Sequence, residues 1–159
     1  MGYNISIDPG INATGWCVWL DGKVDELLTI RTKGDTDIDK LNDLASCLID
    51  LFEACYPIPI DSVVVEKFQG GFHPKRKCDG QKDENYGVYS ALQGMKKCSA
   101  AQGVIIGVAR GYVRFVDSVS KKKTKKEDTA LLARAYGLKG SKDALDAFQI
   151  GICAGFDKR

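Results

Sequence analysis

An α/β fold, a mixed sheet with helices on its faces, is the class this sequence predicts, and three observations predict it. The chain opens with three short strand-like runs joined by tight turns. An amphipathic helical stretch then separates these from an unbroken valine-rich run. From there helical and strand-like segments alternate to the last residues. Five strands result. At 159 residues the length suits one domain, residues 1–159, with room for a sizeable core.

The first strand is Tyr3-Asn-Ile-Ser-Ile-Asp8, where Ile5 and Ile7 alternate with Asn4 and Ser6, the pattern of a strand with one buried face. It ends on a carboxylate, and Pro9-Gly10 turns the chain. Thr14–Leu20 is the second strand, Asp21-Gly22 a hairpin turn, and Lys23–Arg31 the third strand. Asp8 thus stands at the tip of a buried strand, beside small residues that leave room for something to approach.

From Ile38 to about Cys55 apolar residues recur every three or four positions, predicting a helix that stops before Pro57 and Pro59. Ser62-Val-Val-Val-Glu66 suits a central strand covered on both faces, and it too ends in a carboxylate. Lys67–Glu84 is a long polar loop. Asn85 to about Arg110 reads as a long helix in which Gly94, Gly103 and Gly107 permit close packing, although Gly103–Val108 alone fits a buried strand equally well. Tyr112–Ser118 alternates as the fifth strand. Thr124 and Glu127 form a capping box for a helix running to Tyr136 and ending at Gly137. Ser141 caps a last helix, Lys142 to about Ala154.

Composition narrows the function by exclusion. A net charge of +2 imposes no overall field, so local charge has to be read instead. No apolar run reaches the ~20 residues that span a bilayer. No basic-then-apolar segment opens the chain. The six cysteines form no C-x-x-C pair and there is a single histidine, His73, which argues against zinc. A cytoplasmic protein with reduced thiols is expected.

Four acids stand out against this background. Asp8 and Glu66 end two strands, and Asp143 and Asp146 stand three apart in the last helix, on one face. If the first and fourth strands are parallel neighbours, as a crossover helix between them allows, Asp8 and Glu66 lie side by side. Clustered carboxylates repel unless a cation neutralises them. A set of oxygen donors alone suits Mg²⁺ or Mn²⁺. Four acids suffice for two ions roughly 3.5–4 Å apart, the arrangement that hydrolyses phosphodiesters.

Three motifs built on these acids, Ile7-Asp8-Pro9-Gly10 followed by Thr14-Gly15, Val63-Val-Val-Glu66, and Lys142-Asp143-Ala-Leu-Asp146-Ala147, resemble in order and spacing those of RuvC-type Holliday-junction resolvases, over essentially the whole chain. The resemblance implies an RNase H-like fold, a homodimer, and Mg²⁺-dependent paired nicking of two opposed strands across a four-way DNA junction. It maps the metal-binding catalytic carboxylates onto Asp8, Glu66, Asp143 and Asp146. The short chain, with its extra residues after Glu66, looks most like the bacteriophage resolvases, which would act in the bacterial host cytoplasm. One departure is Gln69, where the bacterial enzymes carry an aromatic that stacks on a junction base. Either Phe68 or Phe72 takes over that role or it is lost. Nothing in the sequence indicates a branch-migration motor.

Two basic runs flank the acids: Lys121, Lys122, Lys123, Lys125 and Lys126, and Lys75, Arg76 and Lys77 in the long loop beside Phe68 and Phe72. Both fit phosphate contacts, and the phenylalanines suit stacking on unpaired bases. The long helix, with Tyr86, Tyr89 and Met95, offers a dimer face; burial within one subunit accounts for these residues equally well. Three other functions fit parts of the pattern. A general fork and flap nuclease would need the same acids. A junction-binding module would have no use for four repelling carboxylates. An actin-like ATPase shares Asp-x-Gly before a hairpin but needs a second such domain.

Overall fold

The structure, a computed structural model, describes residues 2–67, 84–109, 113–117, 131 and 133–158. A five-stranded sheet forms its middle layer, in the order β3-β2-β1-β4-β5. Strands β1 (Tyr3–Asp8), β2 (Ala13–Leu20) and β3 (Lys23–Arg31) form the expected antiparallel meander. Asp21 and Gly22 both take positive φ, 52° and 81°, the backbone that a tight hairpin turn requires. Helix α1 (Asp37–Ala54) crosses over to β4 (Ile60–Lys67), which lies parallel to β1. Helix α2 (Glu84–Val108) then leads to β5 (Val113–Asp117), parallel to β4, and α3 (Lys142–Cys153) closes the described chain.

The sheet is buried on both faces. On one, Ile5, Ile7, Trp16, Val63 and Val65 pack against Leu44 and Leu48 of α1 and Ala101 and Ile105 of α2. On the other, Cys17, Trp19 and Val64 meet Ala147, Phe148 and Ile150 of α3. Each layer is pinned by an aromatic pair: Trp16 meets Phe52 edge-on at 5.2 Å, and Trp19 stacks on Phe148 at 5.4 Å. Such pairs add about 0.5–1.5 kcal/mol each beyond the area they bury.

Three expectations need correction. β1 has two buried faces, because Ser6 is fully buried and its hydroxyl accepts the Trp19 indole N–H at 3.0 Å. A serine satisfied in this way passes for a solvent-facing residue in the alternation. Gly94, Gly103 and Gly107 do not serve close packing among the described residues, where a Cβ built on any of them meets nothing within 4 Å. Finally, α1 begins before Ile38: Thr36 caps it, and Asp39 returns the bond, a capping box with Asp in place of the usual Glu or Gln.

The segment from Asn85 is helical throughout α2, so Gly103–Val108 is not a strand. Residues 133–135 are helical and Gly137, at φ 67°, ends that segment as expected, whereas Thr124 and Glu127 lie outside the described residues.

Candidate active site

β1 and β4 run parallel and paired up to Ile7 opposite Val65, so the next residues, Asp8 and Glu66, emerge together at the carboxyl end of the sheet. Neighbouring strands lie about 4.8 Å apart, so rotation of two such side chains brings both carboxylates within reach of one ion. Both acids are partly buried. The two strands turn at this end by different means: β1 stops at Pro9-Gly10, where the Thr14 hydroxyl donates to the Gly10 carbonyl at 2.7 Å, and β4 runs one residue further to Lys67.

The helical acids reach the same edge through a glycine. In the β1–β2 ladder Asp8 stands opposite Gly15. The first turn of α3 rests on Gly15 so closely that a Cβ there would lie 1.9 Å from the Asp143 carbonyl oxygen and 3.0 Å from the Ala147 methyl. The space that the sequence leaves beside Asp8 is therefore taken on this side by the chain's own last helix. Ser141 fixes the start of that helix, as its hydroxyl accepts the Ala144 N–H at 3.3 Å and is hydrogen-bonded to the Thr29 hydroxyl of β3. Asp143 thus sits in the first turn, where backbone N–H groups favour a negative charge. Asp146 follows one turn on, its carboxylate 3.5 Å from the Lys142 ammonium.

Asp8 and Glu66 therefore share one sheet edge, and the helix that carries Asp143 and Asp146 starts against that edge at Gly15. Among the described residues, no three His, Cys, Asp or Glu side chains are gathered closely enough to form a ready metal cage. The donors present are carboxylate oxygens, the chemistry that a hard divalent cation takes.

Helix α2 contributes two residues that sequence reasoning missed. Burial pushes the Cys98 thiol pKa up, and the negative charges of Asp8 and Glu66 push it further, which puts both acids within electrostatic range of this helix. One turn on, the Gln102 amide donates to the Glu66 carbonyl at 3.0 Å. Their spacing of four residues was readable; which face of α2 meets the sheet end was not. Phe68, Phe72, Lys75, Arg76, Lys77, Lys121, Lys122, Lys123, Lys125 and Lys126 lie outside the described residues, as does Gln69. Of the proposed dimer face, Met95 is partly buried.

Away from the acids, an apolar groove of about 790 Å³ runs between the end of α1, the end of α2 and the start of β4, lined among others by Phe52, Tyr56 and Val108. It holds no acid of the constellation. Cys17, Cys47, Cys55, Cys98 and Cys153 are free thiols. No helix among the described residues is long and apolar enough to cross a membrane.

No protein-family model matches the sequence, and no curated protein matches it. Among solved structures the chain is similar to Thermus thermophilus RuvC in complex with a Holliday junction substrate, at TM-score 0.72 and 19% identity, covering 98% of this chain and 94% of that one. A second Thermus thermophilus RuvC structure matches at TM-score 0.61 and 19% identity, covering 97% and 93%. The fold is that of RuvC. It is an RNase H-like mixed five-stranded sheet flanked by helices, as the sequence predicts. The likeness extends over nearly the full length of both chains.

Proposed function

We propose that this protein is a divalent-metal-dependent DNA endonuclease that resolves Holliday junctions by paired symmetric nicks, acting as a homodimer of single RNase H-like domains. One observation carries the reading: Asp8 and Glu66 leave adjacent parallel strands together, and Gly15, opposite Asp8, seats the first turn of the helix bearing Asp143 and Asp146. The reading is supported by a fold similar to that of a protein solved on a Holliday junction substrate. The extra residues after Glu66 support a bacteriophage-type resolvase.

Asp8, Glu66, Asp143 and Asp146 would hold Mg²⁺, with Mn²⁺ able to substitute. When bound, a pair of such ions activates a water and stabilises the leaving oxygen of a phosphodiester. The chain's own part is placement. The paired strand ends fix the Cα positions of Asp8 and Glu66, and the cap at Ser141 together with the contact at Gly15 fixes that of Asp143. Lys142, beside Asp146, balances charge at the helix start. The lysines at 121–126, Lys75, Arg76 and Lys77 would hold phosphates, and Phe68 or Phe72 would stack on bases at the junction centre. A two-fold dimer matches a two-fold substrate, so that two opposed strands are cut.

The test is cleavage of a labelled four-way junction in Mg²⁺ by the parent protein, Glu66→Gln and Asp146→Asn. Paired symmetric nicks that vanish in both variants, with junction binding kept, support the proposal. Binding without cutting in Mg²⁺ or Mn²⁺ overturns it and leaves a junction-binding module. Gln69 favours one second reading, a nuclease of forks and flaps, which equal cutting of those substrates would establish.

A further inference from the structure

The end of β4 is held unequally. On the β1 side its ladder stops at Ile7 opposite Val65, one residue short of Glu66, while on the β5 side it continues to Lys67. Pro9, which follows Asp8, has no N–H to extend the β1 ladder. What reaches this end from the helical layer is Gln102, whose side-chain amide donates to the Glu66 carbonyl at 3.0 Å across a separation of 36 residues. The register of α2 at this point is fixed by Ala101 and Ile105, both fully buried on either side of Gln102. Ordering a long glutamine side chain costs rotamer freedom, so the bond it makes is a specific constraint on that strand end. We propose that Gln102 is a positioning residue that fixes the backbone of Glu66, so that its carboxylate is presented beside Asp8.

This inference rests on the reading of the acid edge as catalytic. Displacing a reacting group by about 1 Å costs on the order of a hundredfold in rate, so a single neutral hydrogen bond to the backbone of an acid at a strand tip has consequences beyond stability. Gln102→Met keeps length and volume but has no N–H. Gln102→Asn keeps the amide and draws it back by one methylene. Three quantities separate positioning from a purely structural role: the single-turnover rate of junction cleavage across a Mg²⁺ titration, junction affinity in Ca²⁺, and Mn²⁺ binding to the DNA-free protein followed by electron paramagnetic resonance.

For both variants we expect a rate lower by about tenfold to a hundredfold. Mn²⁺ binding should be weakened severalfold, with junction affinity and melting temperature close to the parent's. Rates and Mn²⁺ affinities within about twofold of the parent in whichever variant folds would overturn the role of Gln102 while leaving the nuclease reading intact. A parent protein that neither cuts junctions nor binds Mn²⁺ would instead overturn the nuclease reading, and this inference with it.

Discussion

Gly15 is the residue on which the site depends most directly without carrying any chemistry. Its missing side chain is replaced by the Asp143 carbonyl, so Gly15→Ala forces either β2 or the start of α3 to move. Overpacking of this kind costs typically 1–3 kcal/mol, and here it should also shift Asp143 away from Asp8. Urea unfolding is expected to show the destabilisation, and junction cleavage should fall more than the lost stability explains. Ser6 gives a comparison at which only stability is at stake. Ser6→Ala leaves the buried Trp19 N–H without its acceptor, a loss of about 1–3 kcal/mol, with the cleavage rate of the folded protein unchanged. The four acids were legible one by one in the sequence because Asp8 and Glu66 each end a strand pattern and Asp143 and Asp146 stand three apart at the start of a capped helix. Gly15 was legible only as a small residue near Asp8. What would occupy the space could be learned only from the packing of a helix more than 120 residues further on.

At the scale of elements, the meander, the crossover helix, the valine strand and the last helix follow from local rules that agree with one another, and their order in the sheet follows from the parallel pairing of β1 and β4. Helix α2 shows where such rules stop. Gly94, Gly103 and Gly107 have no packing partner among the described residues, and Gln102 looks like an ordinary polar position until the sheet end is placed beneath it. The start of α1 makes a separate prediction. The Thr36 hydroxyl and backbone N–H hold the Asp39 carboxyl below its ordinary pKa. Because the folded value lies below the unfolded one, the stabilisation is complete above the unfolded pKa of about 3.9 and disappears as pH falls through the depressed folded value. Asp39→Asn should therefore lower the melting temperature at about pH 6, by an amount that shrinks as pH is taken down below about 3.9. Thr36→Ala, which removes the capping oxygen, should cost about 1 kcal/mol at neutral pH.

At the scale of the whole molecule, the reading as a junction nuclease makes a claim about charge. With a net charge of only +2 the protein has no strong general attraction for DNA, so affinity has to come from local basic runs. If about six phosphates are neutralised, the logarithm of the junction association constant should fall with the logarithm of salt concentration at a slope near −5. Replacing Lys121, Lys122 and Lys123 by alanine should bring the slope down by about 2–3 units and leave the acids' chemistry untouched once DNA is bound. Sedimentation across a concentration series should show a dimer.

The seating of α3 on Gly15 also bears on when the molecule becomes competent during its own synthesis. Chains emerge from the ribosome amino end first, at about 5–20 residues per second. The first sheet acid is therefore made more than 130 residues before the two helical ones. Until residues 142–153 have been made and docked against β2, Asp143 and Asp146 are missing from the proposed site, and Trp19 lacks the stacking cover of Phe148. A nascent chain, or one cut short before the last helix, should thus be both sticky and incapable of cutting. Proofreading of the fold and arming of the proposed nuclease would then be one event, the docking of a single helix.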